Sequence, residues 1–142
     1  MAATPDRIGS RALHPLHAFL LAATVPPFLG AMLTDIAYAK TFEIQWTNFA
    51  SWLIVAGLVF AALVLVFALV DIVRAHRRDA RSLAYFALVL AIFMVGVVNS
   101  LVHAKDAWAA MPGGLVLSVI GTVLAVIAAW LGFAGYRSGA RA

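Results

Sequence analysis

The chain has 142 residues, of which 65% are hydrophobic and 11% charged, with a formal net charge of +4 and a mean hydropathy of +1.01. Soluble domains hold about 45–50% apolar residues, so this composition describes an integral membrane protein with no room for a soluble catalytic domain; its length suits a single four-helix transmembrane domain over residues 1–142. The absence of cysteine excludes disulfides, thiolate metal sites, iron–sulfur clusters and thioether-bound haem, and the basic residues flank apolar runs instead of forming the stripe that nucleic acid requires.

A hydrocarbon core about 30 Å thick takes roughly 20 apolar residues as helix. Four stretches meet that length and predict spans at about 17–38, 49–73, 83–104 and 114–135. The connections are short, so consecutive helices are expected to pack antiparallel in an all-α, up-down-up-down bundle.

The first span is preceded by His14-Pro15-Leu16-His17, two histidines at the point where the chain leaves water. With Pro15 at the first helical turn, the two imidazoles fall on one side. Inside the span, Pro26-Pro27 removes two backbone donors, which predicts a kink and frees the carbonyls of Ala22 and Ala23; Thr24 and Thr34 are candidates to satisfy them. Asp35 stands near the far end. Ala37-Tyr38-Ala39 has the small-x-small pattern of a signal-peptidase site, but the apolar stretch is longer than a signal peptide's and is broken by the prolines, so the segment is expected to remain a span.

The second span ends at Asp71 and leads into the basic run RAHRRDAR at 74–81, which contains His76. The third carries Asn99 and His103 one turn apart, with Asp106 three residues further on, so all three share a face if the helix continues. Small residues that let helices approach recur at four-residue spacing: Gly57 and Ala61, Ala87 and Ala91, then Gly121, Ala125 and Ala129 on the fourth span. These are expected to line the internal seams, and the same spacing also suits a homo-oligomer contact.

Arg7, Arg11, Arg74, Arg77, Arg78, Arg81, Arg137 and Arg141 fall at one end of the spans, against Lys40 and Lys105 at the other. The positive-inside rule then predicts cytoplasmic N and C termini in a multi-pass protein of the bacterial inner membrane. Trp46, Trp52 and Trp108 near the outer surface, with Trp130 and Tyr136 toward the inner, form aromatic belts in contact with the lipid bilayer.

This topology sorts the costly polar residues into two groups. On the inner face, His14, His17 and Asp71 could bind a transition metal, or Asp71 could pair with Arg74 or Arg11 and leave the histidines as caps. On the outer face stand Asp35, Asn99, His103 and Asp106, either a ligand with its orienting partners, a proton-handling histidine, or a helix end in the headgroups. Haem b held by two histidines needs both at one depth, which rules out His17 with His103; it leaves an inner pair with His76, or His103 with Met32 or Met111 outside.

HPLH before the first span, Asp71 ending the second, NSLVHAKDAW at 99–108 and AWLGFAGYRSG at 129–139 together resemble the bacterial membrane family known as domain of unknown function 2231. The resemblance covers nearly the whole chain and implies a four-helix module without an established activity, whose members occur beside or fused to redox domains of Rieske, cytochrome c or sugar-dehydrogenase type. Two departures stand out: Ala18 where the family often has proline after HPLH, and Ser138 where it often has histidine. The resemblance implies a redox-associated membrane subunit in contact with haem, metal or quinone, serving a periplasmic cytochrome or dehydrogenase. A non-catalytic anchor or assembly protein and a small transporter are the competing readings. No phosphate loop, nucleophile elbow or HExxH motif is present, so turnover by this chain alone is not expected.

Overall fold

A computed structural model describes residues 13–74 and 80–139, with side chains to residue 134. His76, Arg7, Arg11, Arg77, Arg78 and Arg141, with the side chains of Tyr136, Arg137 and Ser138, lie outside the described residues.

All the described secondary structure is helical: α1 (Pro15–Thr41), α2 (Ile44–Arg74), α3 (Ala80–His103), the single turn α4 (Ala107–Ala110) and α5 (Gly113–Gly139). Among the described residues, α1, α2, α3 and α5 are long and apolar enough to cross a membrane. α1, α2 and α5 each contain an expected span and run past it at both ends, because intrahelical hydrogen bonding continues into the polar flanks, whereas α3 starts before its expected span and stops one residue short of Ala104. At 31 residues, α2 is about 46 Å long by its rise per residue, well beyond the hydrocarbon thickness.

The local chemistry sets the ends of α1. Pro15 occupies the first helical turn, where its missing N–H costs nothing, and His14 caps the helix by accepting the Leu16 N–H on Nδ1 at 3.3 Å. At the other end Phe42 takes the left-handed conformation (φ 59°) and its N–H donates to the Tyr38 carbonyl, which stops the helix. Only Phe42 and Glu43 then separate α1 from α2.

α1 stays helical through Pro26 and Pro27. Thr24 does not serve the proline-freed carbonyls: its hydroxyl donates to Leu20, and that of Thr34 donates to Gly30 and Ala31. A helical hydroxyl reaches the carbonyl three or four residues behind it, and Ala22 and Ala23 are out of that range.

α1 and α3 each pack against both α2 and α5, so they lie across the diagonal of a four-helix bundle. The bundle closes around Phe28. A Cβ on Gly57 would stand 3.0 Å from the Phe28 ring, one on Gly96 3.3 Å and one on Gly121 3.4 Å, so α2, α3 and α5 each give up a side chain to admit it. Leu20, Leu21, Ala61, Val64, Val89, Ile92, Ala125 and Ala128 complete the core.

The expected seams hold for Gly57, Ala61, Gly121 and Ala125, all buried, and fail on the third span. Ala87 is exposed and Ala91 half-buried; the buried line of α3 is Val89, Ile92, Gly96, Asn99 and His103. On α5, Ala128 replaces Ala129 in the interior. The inward face of α3 carries the polar residues that need partners, Asn99 and His103, and leaves Ala87 outside and Ala91 at its margin.

Candidate functional site

The α1–α3 diagonal is bridged twice. His17 Nε2 shares a 3.0 Å hydrogen bond with the Tyr85 hydroxyl, and His103 Nε2 lies 2.9 Å from Asp35 Oδ1. Eighteen residues separate His17 from Asp35 on α1, and eighteen separate Tyr85 from His103 on α3. The helices are therefore parallel and in register, and the bridges stand about 27 Å apart, one near each end of the apolar core.

At the Asp35 end the bridge belongs to a buried network. Asp35 is fully buried and Asn99 is 1% exposed. The His103 ring is also sequestered, so the residue's slight exposure belongs to its backbone. His103 Nδ1 lies 3.0 Å from the Asn99 backbone carbonyl, an acceptor only, so Nδ1 carries a hydrogen. Nε2 then faces the carboxylate with one proton to place: on the ring, giving an imidazolium–carboxylate pair, or on Asp35, giving a neutral pair. Ser118 donates to Asp35 Oδ2 at 2.6 Å and in turn accepts from Asn99 Nδ2 at 2.9 Å. Three helices thus orient one carboxylate, as buried ionisable groups in membranes require.

Backbone approach makes room for this. A Cβ on Gly114 would stand 2.7 Å from His103 Cε1, so the bare first turn of α5 is what lets the imidazole pass. One turn further, Ser118 reaches Asp35, and after another Thr122 donates to the carbonyls of Phe28 and Ser118. Beside the network lies a pocket of about 320 Å³, lined by Gln45, Thr47, Asn48, Ser51, Lys105 and His103 among others.

Of the four outer residues expected from the sequence, Asp35, Asn99 and His103 come together and Asp106 does not. α3 ends at His103, and the turn that follows leaves Asp106 exposed at the N-cap of α4, lining the pocket but outside the network. Ser118 and Gly114 were not anticipated. A serine in an apolar helix ordinarily bonds back to its own backbone, and nothing in the local sequence distinguishes Gly114 from Gly113.

At the other end the expected trio is arranged differently. His17 is buried, with Nε2 committed to Tyr85 and its ring stacked on Phe67 at 5.3 Å. His14 stacks on the same Phe67 ring at 6.2 Å and spends Nδ1 on its cap. Asp71 is exposed, near enough for its charge to act on His17 and Tyr85. Among the described residues no three His, Asp or Glu side chains gather as a metal ligand set.

Among the described residues, His103 is not free to serve as an outer haem ligand. Both nitrogens of His103 are engaged, which leaves no axial ligand for Met32 or Met111 to share. The midsection between Leu21, Thr24, Val64, Val89 and Ala128 is closely packed, with no room for a water molecule. Trp46, Trp52, Trp108 and Trp130 are all exposed, as interfacial anchors are.

A family model described as "Predicted membrane protein (DUF2231)" matches residues 13–138. No curated protein and no solved structure matches.

Proposed function

The chain belongs to this family of predicted membrane proteins, and from that premise we propose that it is a multi-pass membrane subunit whose working part, the Asp35–His103 pair, holds and exchanges one proton. The observation that carries this reading is the commitment of Nδ1 to a backbone carbonyl while Nε2 faces a carboxylate. With Nδ1 fixed as a donor, the pair stores one transferable proton in a region where isolated charge is costly. The adjacent pocket, which His103 helps to line, offers a route to solvent, and the basic-residue asymmetry supports an outer-side location for it in a bacterial inner membrane.

In the redox setting implied by the sequence resemblance, the pair takes up one of the two protons released when a partner oxidises a quinol-type carrier at that surface, and the other goes to solvent. The chain then contributes proton chemistry while the partner carries the electrons, so no haem or metal is required of it. The anchor reading has no comparable observation behind it, since an anchor needs no buried ionisable pair.

The test is ¹⁵N-histidine NMR with infrared detection of the carboxyl group in detergent-purified protein. His103 and Asp35 are expected to change together in one protonation step, as coupled sites do, and the step disappears in Asp35→Asn. Silence of both groups across the range where imidazole and carboxyl groups titrate would make the pair a structural link only.

A further inference from the structure

The pocket beside His103 is lined by polar groups that the protein itself leaves unused. Gln45, Thr47 and Asn48 line it from the start of α2, and Lys105 and Asp106 from the segment that follows α3. Among the described residues Asp35–His103 is the one ion pair, so Lys105 and Asp106, adjacent and of opposite sign, both stand unpaired there. Asp106 occupies the N-cap of α4, yet its side chain makes no capping hydrogen bond. Thr47 is only 7% exposed. Its hydroxyl has no partner among the described residues, not even the carbonyl one turn back to which Thr24, Thr34, Thr41 and Ser51 each donate. The amides of Gln45 and Asn48 are equally uncommitted there. A concave space of about 320 Å³ with convergent, unspent polar groups has the character of a ligand site.

Depth and charge select the occupant. Trp46 and Trp108 are sequence neighbours of the lining residues Gln45, Thr47 and Ala107, and both are exposed, as indole rings at the headgroup level of a bilayer are. A molecule at that depth that answers both Lys105 and Asp106 carries an anion and a cation a few bonds apart. An ethanolamine phospholipid headgroup has that pattern. Its phosphate accepts from the lysine ammonium and from amide N–H groups, and its primary ammonium donates to carboxylate, hydroxyl and amide oxygens. A choline headgroup has no N–H to donate and is recognised by aromatic faces, whereas no Phe, Tyr or Trp among the described residues lines the pocket. A glycerol headgroup brings no cation for Asp106.

We propose that this pocket binds the phosphoethanolamine headgroup of a membrane phospholipid, with Lys105 on the phosphate and Asp106 on the ammonium. The site lies outside the buried Asp35 network and does not rest on the proton-handling reading. The lipid exchanges with the bilayer, and the pocket opens to water whenever the headgroup leaves.

The experiment delipidates the full-length protein in maltoside detergent and adds phosphatidylethanolamine, phosphatidylcholine or phosphatidylglycerol with identical acyl chains. Binding is read by native mass spectrometry, with glycerophosphoethanolamine as a competitor without chains. The ethanolamine lipid is expected to bind about tenfold more tightly than either of the others, the scale of one hydrogen bond to a charged group. Lys105→Gln weakens all three lipids, and Asp106→Asn removes the preference for ethanolamine. Both residues are exposed, so these variants are expected to keep the helical circular dichroism of wild type; if they do not fold, the wild-type comparison of the three lipids still decides. Equal binding of the three lipids, or a preference that survives Asp106→Asn unchanged, overturns the site. Glycerophosphoethanolamine bound as tightly as the lipid would put a soluble zwitterion in the pocket and overturn the membrane occupant.

Discussion

The two ends of the α1–α3 diagonal use one geometry for two kinds of chemistry. Each places a histidine against a side chain of the opposite helix, in the same register, at 3.0 and 2.9 Å. At the His17 end the partner is a phenol, the ring lies on Phe67, and the nearby carboxylate of Asp71 stays exposed. At the Asp35 end the partner is itself ionisable, fully buried, and held by a donor from Ser118, which in turn accepts from Asn99. The difference teaches that a buried histidine bridge in a membrane is not in itself a site: what converts a stitch into a site is a second titratable group with nowhere else to put its charge.

That contrast can be broken by measurement. The largest effect is expected for His103→Ala, which leaves the Asp35 carboxylate without its counter-charge; the loss is about 3–5 kcal/mol by analogy with broken buried ion pairs, read as unfolding free energy in mixed micelles. Ser118→Ala strands the Asn99 amide nitrogen and removes a donor from Asp35, at about 1–3 kcal/mol. Gly114→Ala drives a methyl group into the His103 ring and is expected to cost a similar 1–3 kcal/mol or so through overpacking, with a shift of the His103 ring resonances that Gly113→Ala, whose Cβ meets nothing within 4 Å, does not produce. At the opposite end Tyr85→Phe keeps the ring and removes one interhelical hydrogen bond, worth about 0.6 kcal/mol in membrane bundles. Asp71→Asn, at an exposed position, should stay within about 0.5 kcal/mol of wild type. If Tyr85→Phe cost as much as His103→Ala, the two ends would be equivalent and the distinction drawn here would fall.

The spans were legible because apolar length is a direct physical requirement of the bilayer, and the convergence of Asp35 with Asn99 and His103 followed from their depth. Their company was less readable. The one-turn spacing rule holds only while the helix lasts, and α3 stops at His103, so Asp106 left the group that its sequence position suggested. Ser118 sits on a helix whose own sequence offers no partner; it becomes visible only when α1 and α5 are laid side by side. Tyr85 was missed for the same reason, while Asp71, adjacent to the histidines in topology, drew attention that its exposure does not support. Alanine spacing misled on α3 because small residues permit close approach without demanding it.

Eighteen residues are five full turns of α-helix, and that equality on both members of the diagonal has a mechanical meaning. Each bridge leaves its helix from the same longitudinal stripe, so the two act as a pair of hinges pinned on one door edge. A slip of α1 along α3 by one residue would unseat both at once, and a twist that spared one would strain the other. A movement that leaves both bridges seated has to come from α5 or from the loop beyond His103, where Gly114 leaves the ring its clearance, while the hinged pair keeps its alignment.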